Sequence, residues 1–494
     1  MKEVFMAEQP NIILIMTDQQ RFDTINALGA HWMHTPNLDR LATEGMSFSN
    51  CYVTSPLCSP SRASLFTGMY PHAHGVYSNF QKWQPTWVQW LADAGYHCVN
   101  IGKMHTNPYD IPGGFHQRIV AENKDRPLFL DEHERAYYDD WDRALHSRGI
   151  EKPTRYVRHK ANPEAYKKAM GAFTWEHAED MHSDNFVGDT ANWWLEERQS
   201  KAPLFLQIGF PGPHPPFDPT ERWLNHYKDI NIPVPNVTEA ELAAQPPAHA
   251  AYRDNIVKYN QDAVAWKYNP TKEELLRVRR HYAANTSMID EKIGIILDTL
   301  EKRGLLKNSI IVFTSDHGEA LGDHGHIQKW TMYDVSVKVP LLVWSPDKVK
   351  GGRRSDALLQ LMDIAPTILE YLSIPIPENW QARSFKRVLD SRDPLEIRDA
   401  VYSELTRGHI QTASEFICMR REKRWKLVWY LGEKEGELYD LHSDPDELIN
   451  LWNMEKYSAI RKDQENLIQE EMIRNMVQAQ SRSMEKPQPY MEIK

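Results

Sequence analysis

Four short apolar runs stand out along the chain: Asn11-Ile12-Ile13-Leu14-Ile15-Met16, Leu204-Phe205-Leu206-Gln207-Ile208, Ile310-Ile311-Val312-Phe313 and Leu341-Leu342-Val343-Trp344. Each is continuous, not alternating, and rich in branched residues, as expected of strands covered on both faces. Between them the period becomes helical. Ile289, Ile293, Ile296, Leu297 and Leu300 share one face, ended by Lys302, Arg303 and Gly304. Leu38 and Leu41 do the same over 37–44, with Gly45 as the stop. Strands alternating with helices predict an α/β fold with a large mixed, mostly parallel sheet flanked by helices. The stretches at about 107–180 and 215–280 carry charge, aromatic residues and proline with weaker periodicity, and read as insertions around the mouth of a site. The chain shows no internal repeat.

In such sheets ligands gather beyond the carboxyl ends of the strands. The first run leads into Thr17-Asp18-Gln19-Gln20 and the third into Thr314-Ser315-Asp316-His317-Gly318. Asp18 and Asp316 offer hard oxygens, Gln19 an amide oxygen and His317 a ring nitrogen, a set suited to one divalent cation.

The segment Cys58-Ser59-Pro60-Ser61-Arg62 precedes a small-residue stretch that predicts a helix starting near Ser61. Such a helix would aim its N-terminus, which favours anionic oxygens, at the site. The Cys-x-Pro-x-Arg pattern resembles the signature of the type I, formylglycine-dependent sulfatases of the alkaline phosphatase superfamily. The resemblance implies that Cys58 is oxidised to formylglycine by a formylglycine-generating enzyme during maturation, and that it joins Asp18, Gln19, Asp316 and His317 at one cation. Calcium is the expected ion and manganese the alternative, because Gln19 replaces a second aspartate and His317 stands where asparagine is frequent. Arg62 would brace the hydrate and the metal site.

Further positions match the family's sulfate-binding set: Lys103 and His105 in Gly102-Lys103-Met104-His105, His214 in Gly212-Pro213-His214-Pro215, and Lys329 in Gln328-Lys329-Trp330. The resemblance implies that Lys103 and Lys329 hold the nonbridging sulfate oxygens, that His214 is the general acid, with Lys329 as a possible partner in that role, and that His105 is the base. His72 and His74, and likewise Asp323, His324 and His326, read as structural, with a substrate role for His326 to be tested. Arg424-Trp425-Lys426-Leu427-Val428-Trp429-Tyr430 and Gly436-Glu437-Leu438-Tyr439-Asp440-Leu441 read as two strands. Together with Asp444-Pro445-Asp446-Glu447-Leu448-Ile449-Asn450-Leu451 they resemble the family's smaller C-terminal α+β subdomain with its short antiparallel sheet. The implied division is a catalytic domain over 1–395 and a C-terminal subdomain with a terminal helix over 396–494.

Composition narrows the partners. A net charge of −10 argues against nonspecific nucleic-acid or anionic-membrane binding, so an anionic substrate must be drawn by a local cationic pocket. Cys51, Cys98 and Cys418 read as buried thiols, with no disulfide framework. No run is long enough to span a bilayer and residues 1–10 lack a signal core, so the expected location is cytoplasmic, or periplasmic if the N-terminus has been processed. The expected substrate is a small-molecule or oligosaccharide sulfate ester, preferably a sulfated sugar, with an aryl or choline sulfate as runner-up. Trp83, Trp87, Trp175, Trp193, Trp194, Trp223, Trp266 and Trp380 are candidates for sugar-stacking walls. Three alternatives stand beside this reading. Related phosphonate monoester hydrolases share the fold and an Asp-Gln metal pair, but typically have uncharged residues where this chain carries Lys103 and His105. A noncatalytic sulfated-glycan-binding protein would need a degenerate set, which these residues are not. A zinc phosphatase would need a serine or threonine nucleophile and a second metal cluster, for which the chain has no pattern.

Overall fold

A computed structural model describes residues 9–79, 81–122, 124–125, 138–406 and 414–479. The segment 1–8, on which the expected location partly rests, lies outside the described residues, as does the tail beyond 479. The apolar runs become the centre of a nine-stranded sheet. Its strands are β1 (Asn11–Asp18), β2 (Met46–Tyr52), β3 (His97–Gly102), β4 (Gln117–Ile119), β5 (Leu204–Pro213), β6 (Ser309–Ser315), β7 (Lys338–Trp344), β8 (Arg353–Ser355) and β9 (Leu359–Gln360). They lie in the order β4-β3-β5-β1-β6-β7-β2-β8, with β9 also on β2. Only β7 runs against the others.

β1 is buried at every position, because its pleat feeds two cores. Ile12, Leu14 and Met16 join one apolar cluster; Ile13 and Ile15 join the other. The second cluster is covered by the helices Pro36–Glu44, Ser183–Glu197 and Lys272–Lys302. The last is longer than the pattern at 289–300 foretold. Thr271 and Glu274 form a reciprocal cap that starts it inside the stretch read as an insertion, so the insertion ends near 270. The described parts of the two inserted stretches include β4 and short helices such as Asp140–Ser147 and Pro247–Lys258.

Near the C-terminus β10 (Val401–Thr406), β11 (Phe416–Arg421), β12 (Trp425–Leu431) and β13 (Glu437–Asp440) form an antiparallel sheet in sequential order. Val401, Ile417, Val428 and Leu438 share a core with Phe66 and Phe205 of the large sheet's side, so this sheet is packed into the main body. No described helix is long and apolar enough to cross a membrane.

The tryptophan expectation is overturned. Trp83, Trp87, Trp175, Trp194, Trp223, Trp266 and Trp380 are core residues, none more than 7% exposed. Trp193 alone of the eight is exposed, toward the end of its helix away from Asp184, which touches the site end of β5. Large flat side chains are worth more to a core this size than to its rim.

Candidate active site

The topology gathers the candidate residues along one edge. Asp18 ends β1, Cys58 comes after β2, Lys103 and His105 after β3, His214 after β5, and Asp316 and His317 after β6. Because β7 is reversed, the segment that enters it, carrying Lys329, arrives at this same edge. Six separate stretches of chain therefore meet at one place.

Local backbone sets each side chain. The helix carrying the Cys58 motif is Cys58–Thr67, starting three residues before the expected Ser61. Pro60 is tolerated in its first turn, and Gly68 at φ +70° ends it. Gln19, His105, Gln328 and Trp330 all hold positive φ, between 61° and 76°. Such strain in residues other than glycine persists only where the surroundings enforce it. Lys103 is pinned by close packing: its N–H donates to the Gly209 carbonyl at 2.7 Å, and a Cβ on Gly209 would lie 1.9 Å from the Lys103 carbonyl oxygen.

At the centre, the donor atoms of Asp18, Cys58, Asp316 and His317 lie within 4.8 Å of one another, all buried. Arg62 ties the two carboxylates together, Nε to Asp316 at 2.8 Å and an Nη to Asp18 at 3.2 Å. Lys103 Nζ reaches Asp18 at 2.8 Å. Lys329 Nζ donates to Gln19 Oε1 at 2.8 Å and to the Cys58 sulfur at 3.2 Å. Asp18 and Asp316 thus face the cations Arg62, Lys103 and Lys329 at close quarters.

The electrostatics reflect that balance. Burial opposes ionisation of Asp18, yet Lys103, His214, Arg62 and Lys329 hold its carboxyl well below the usual range. Burial, reinforced by Asp18, pushes the Cys58 thiol up to about 12, so the thiol itself is a poor nucleophile at neutral pH. Burial and Lys329 press His214 down to about 3. Burial, Lys103 and Arg62 hold His105 well below its usual value. The His105 Nδ1 is buried without a hydrogen-bond partner among the described residues, while its backbone N–H donates to Glu122 at 3.0 Å.

The donor set fits a hard divalent cation. His317 Nδ1 lies 3.0 Å from the Gly318 carbonyl oxygen, to which it donates as the protonated nitrogen, leaving Nε2 turned to the cluster as a ligand needs. The Cys58 sulfur, 3.2 Å from that Nε2, occupies the place where a formylglycine oxygen would stand.

Sequence reasoning missed Glu319, a fully buried carboxylate that accepts from the Gln19 side-chain amide, from Leu321 N–H at 3.1 Å and from Gln328 N–H. It orients the amide so that Oε1 meets Lys329. Its place three residues after Asp316 was the available signal. Asp262, 3.7 Å from His214 Nε2, and Glu122 were missed too, since inserted segments carry no pattern that places them. His72 is bound to Glu404 and His74 to Ser64 at 3.0 Å, both outside the cluster of donor atoms. Asp323 pairs with Arg21 and Arg279, His324 stacks on Tyr333, and His326 meets His249 at 2.8 Å.

Comparison with known proteins agrees with this architecture. Residues 10–374 match the family model "Sulfatase", and residues 322–474 match "N-sulphoglucosamine sulphohydrolase, C-terminal". An arylsulfatase of Clostridium perfringens is 31% identical over 463 residues, covering 91% of each chain. An N-acetylglucosamine-6-O-sulfatase of Bacteroides thetaiotaomicron is 28% identical, over 94% of this chain and 86% of its own. The solved phosphonate monoester hydrolase of Agrobacterium radiobacter superposes with a TM-score of 0.76 at 26% identity, over 95% and 96% of the two chains. With the family model spanning more than half its length, this chain belongs to the sulfatase family and is a sulfatase.

Proposed function

We propose that the protein removes sulfate from a sulfate monoester of a sugar or oligosaccharide, with formylglycine made from Cys58 and one divalent cation, calcium first among the candidates. The observation that carries this is the buried Cys58 sulfur between a ligand set and a lysine: 3.2 Å from His317 Nε2 on one side and from Lys329 Nζ on the other. The sugar preference is supported by the relative named for N-acetylglucosamine 6-O-sulfate.

Asp18, Gln19, Asp316 and His317 would hold the cation. When present, the cation and the formylglycine hydrate supply a Lewis acid and an oxygen nucleophile, which the thiol cannot. Arg62 fixes both aspartates and thereby the spacing of the ligands. Lys103 and Lys329 stabilise the nonbridging sulfate oxygens as charge shifts onto them. His214 Nδ1 pairs with the Pro215 carbonyl oxygen at 2.7 Å, which leaves Nε2 to serve the leaving alcohol. Burial and then Lys329 hold His214 down; a bound sulfate would offset the Lys329 part, and the ring would take from solvent the proton it then delivers. His105, whose Nδ1 has no hydrogen-bond partner among the described residues, would take a proton from the nucleophile's side.

A second reading, phosphonate monoester hydrolysis, draws on the fold shared with the Agrobacterium enzyme. Lys103 and His105 favour the sulfate ester. Peptide mass spectrometry of the Cys58 segment, paired with turnover of 4-nitrophenyl sulfate and phenyl phosphonate esters, tests both. Sulfate turnover that tracks aldehyde content and vanishes in Cys58→Ala supports the proposal. An unmodified cysteine in protein that turns over sulfate, or phosphonate turnover exceeding sulfate turnover, overturns it.

A further inference from the structure

One carboxylate at the site is unexplained by sulfate binding. Asp262 occupies a tight turn at 261–264, where Asp262 and Ala263 have φ of 47° and 66°. Val264 N–H donates to the Gln261 carbonyl at 2.8 Å, and the Gln328 side chain donates to the same carbonyl at 2.9 Å. Ala263 and Val264 are buried. The turn is thus clamped to the loop that presents Lys329, and its strained backbone holds Asp262 in place.

The Asp262 carboxylate is 29% exposed and lies 3.7 Å from His214 Nε2. That gap is too long for a hydrogen bond. No described residue donates a hydrogen bond to it, and Arg155, whose charge it feels, is committed to Asp125 at 3.1 Å and to the Asn260 carbonyl at 2.9 Å. A carboxylate here balances part of the Lys329 charge but repels a sulfate group, and it is no part of the pair that Arg62 ties together. It does stand beside the atom left to serve the leaving alcohol. Unused acceptor oxygens in that position call for a donor on the alcohol.

We propose that Asp262 is a specificity-determining residue that accepts a hydrogen bond from a hydroxyl or ammonium group carried by the alcohol part of the substrate, next to the sulfated oxygen. The inference rests on the sulfate ester reading of the site. It restricts substrates to polyol or amino-polyol sulfates, and it sets aryl sulfates, which lack such a neighbour, among the poor ones.

The test compares kcat/KM for glucose 3-sulfate, glucosamine 3-sulfate, 4-nitrophenyl sulfate and, in the wild type, ethyl sulfate as a simple alkyl ester, across the wild type, Asp262→Ala and Asp262→Asn. Asp262→Ala is expected to lower the ratio of sugar to aryl turnover by ~10–100-fold, chiefly through KM. Asp262→Asn separates the donors: its amide oxygen still accepts from a hydroxyl but loses the charge pairing with an ammonium, so the loss falls on glucosamine 3-sulfate alone if the donor is the amine. An equal loss of kcat on all three esters overturns the proposal and makes Asp262 a positioning residue for His214. The wild type gives an independent arm should the variants misfold, since no preference for either sugar sulfate over a simple alkyl sulfate also overturns it. A wild type inactive on every sulfate ester would instead sink the underlying functional reading.

Discussion

Glu319→Gln isolates how Gln19 is held. Glu319 Oε2 takes the Gln19 amide, while Oε1 takes the Leu321 and Gln328 N–H groups. A glutamine of the same size has one acceptor oxygen. Whichever way it turns, its NH2 confronts a donor: either the Gln19 amide or two backbone N–H groups. Turning away from Gln19 sacrifices fewer bonds, so Gln19 loses its anchor. A buried donor left unsatisfied costs about 1–3 kcal/mol, and removing a buried carboxylate returns part of that, because burial raises the Glu319 pKa. We expect about 2 kcal/mol of lost stability by guanidinium denaturation of the metal-free protein. On the proposed ligand set the larger effect falls on the cation: losing an outer partner of a ligand lowers affinity by about 10–100-fold. Calorimetric calcium titration of chelator-stripped protein measures it directly. A calcium affinity within twofold of wild type, with an unchanged denaturation midpoint, would refute the role assigned to Glu319.

Removing either lysine should be costly: Lys103→Ala and Lys329→Ala are each expected to lower kcat/KM on 4-nitrophenyl sulfate by about 10²–10³, and a loss below tenfold would exclude that lysine from the sulfate contact. Gly209→Ala forces a methyl against the Lys103 carbonyl; overpacking of this kind costs about 1–3 kcal/mol, and we expect a lower melting temperature together with lost turnover, so wild-type activity would contradict the close approach. Acid should destabilise the fold through its neutral histidines. Burial presses His74 and His214 down to about 3 and His281 to about 4, while in the unfolded chain each ring protonates near pH 6.5. The unfolded state therefore binds more protons below that pH, and stability falls as pH drops, by at most about 1.4 kcal/mol per unit per ring, until the folded values are reached. Urea midpoints at pH 7 and pH 5 measure the slope, and His281→Gln should flatten it; an unchanged slope would count against the assignment.

The sheet was legible because its central strands are buried on both faces and so advertise themselves as unbroken apolar runs. The same property made the candidate site legible: polar groups at or just beyond the end of a buried strand stand out, and Asp18, Asp316 and His214 all hold such positions. Lys103 and Lys329 needed the family pattern, since a lysine in a loop gives no physical hint of being buried. Glu319 and Asp262 lay beyond reach because their roles are relational. One matters through an amide 300 positions away in the chain, and the other through a clamped turn in an inserted segment. The tryptophans misled for the opposite reason: abundance suggested a surface role, whereas the interior of a two-core sheet consumes large side chains.

The position of Cys58 bears on time as well as on space. Every residue from Cys58 to Phe66 is buried, and the sulfur is enclosed by the ends of other chain segments that carry Asp18, His317 and Lys329. A finished molecule offers no route for a second enzyme to grip that peptide. On the proposed chemistry, oxidation must reach the chain while it is still open, and folding closes the opportunity. The active fraction of any preparation is then fixed by a race between two rates during synthesis. A substitution that hastens folding would yield a sturdier protein with fewer working copies, and slower production would yield more.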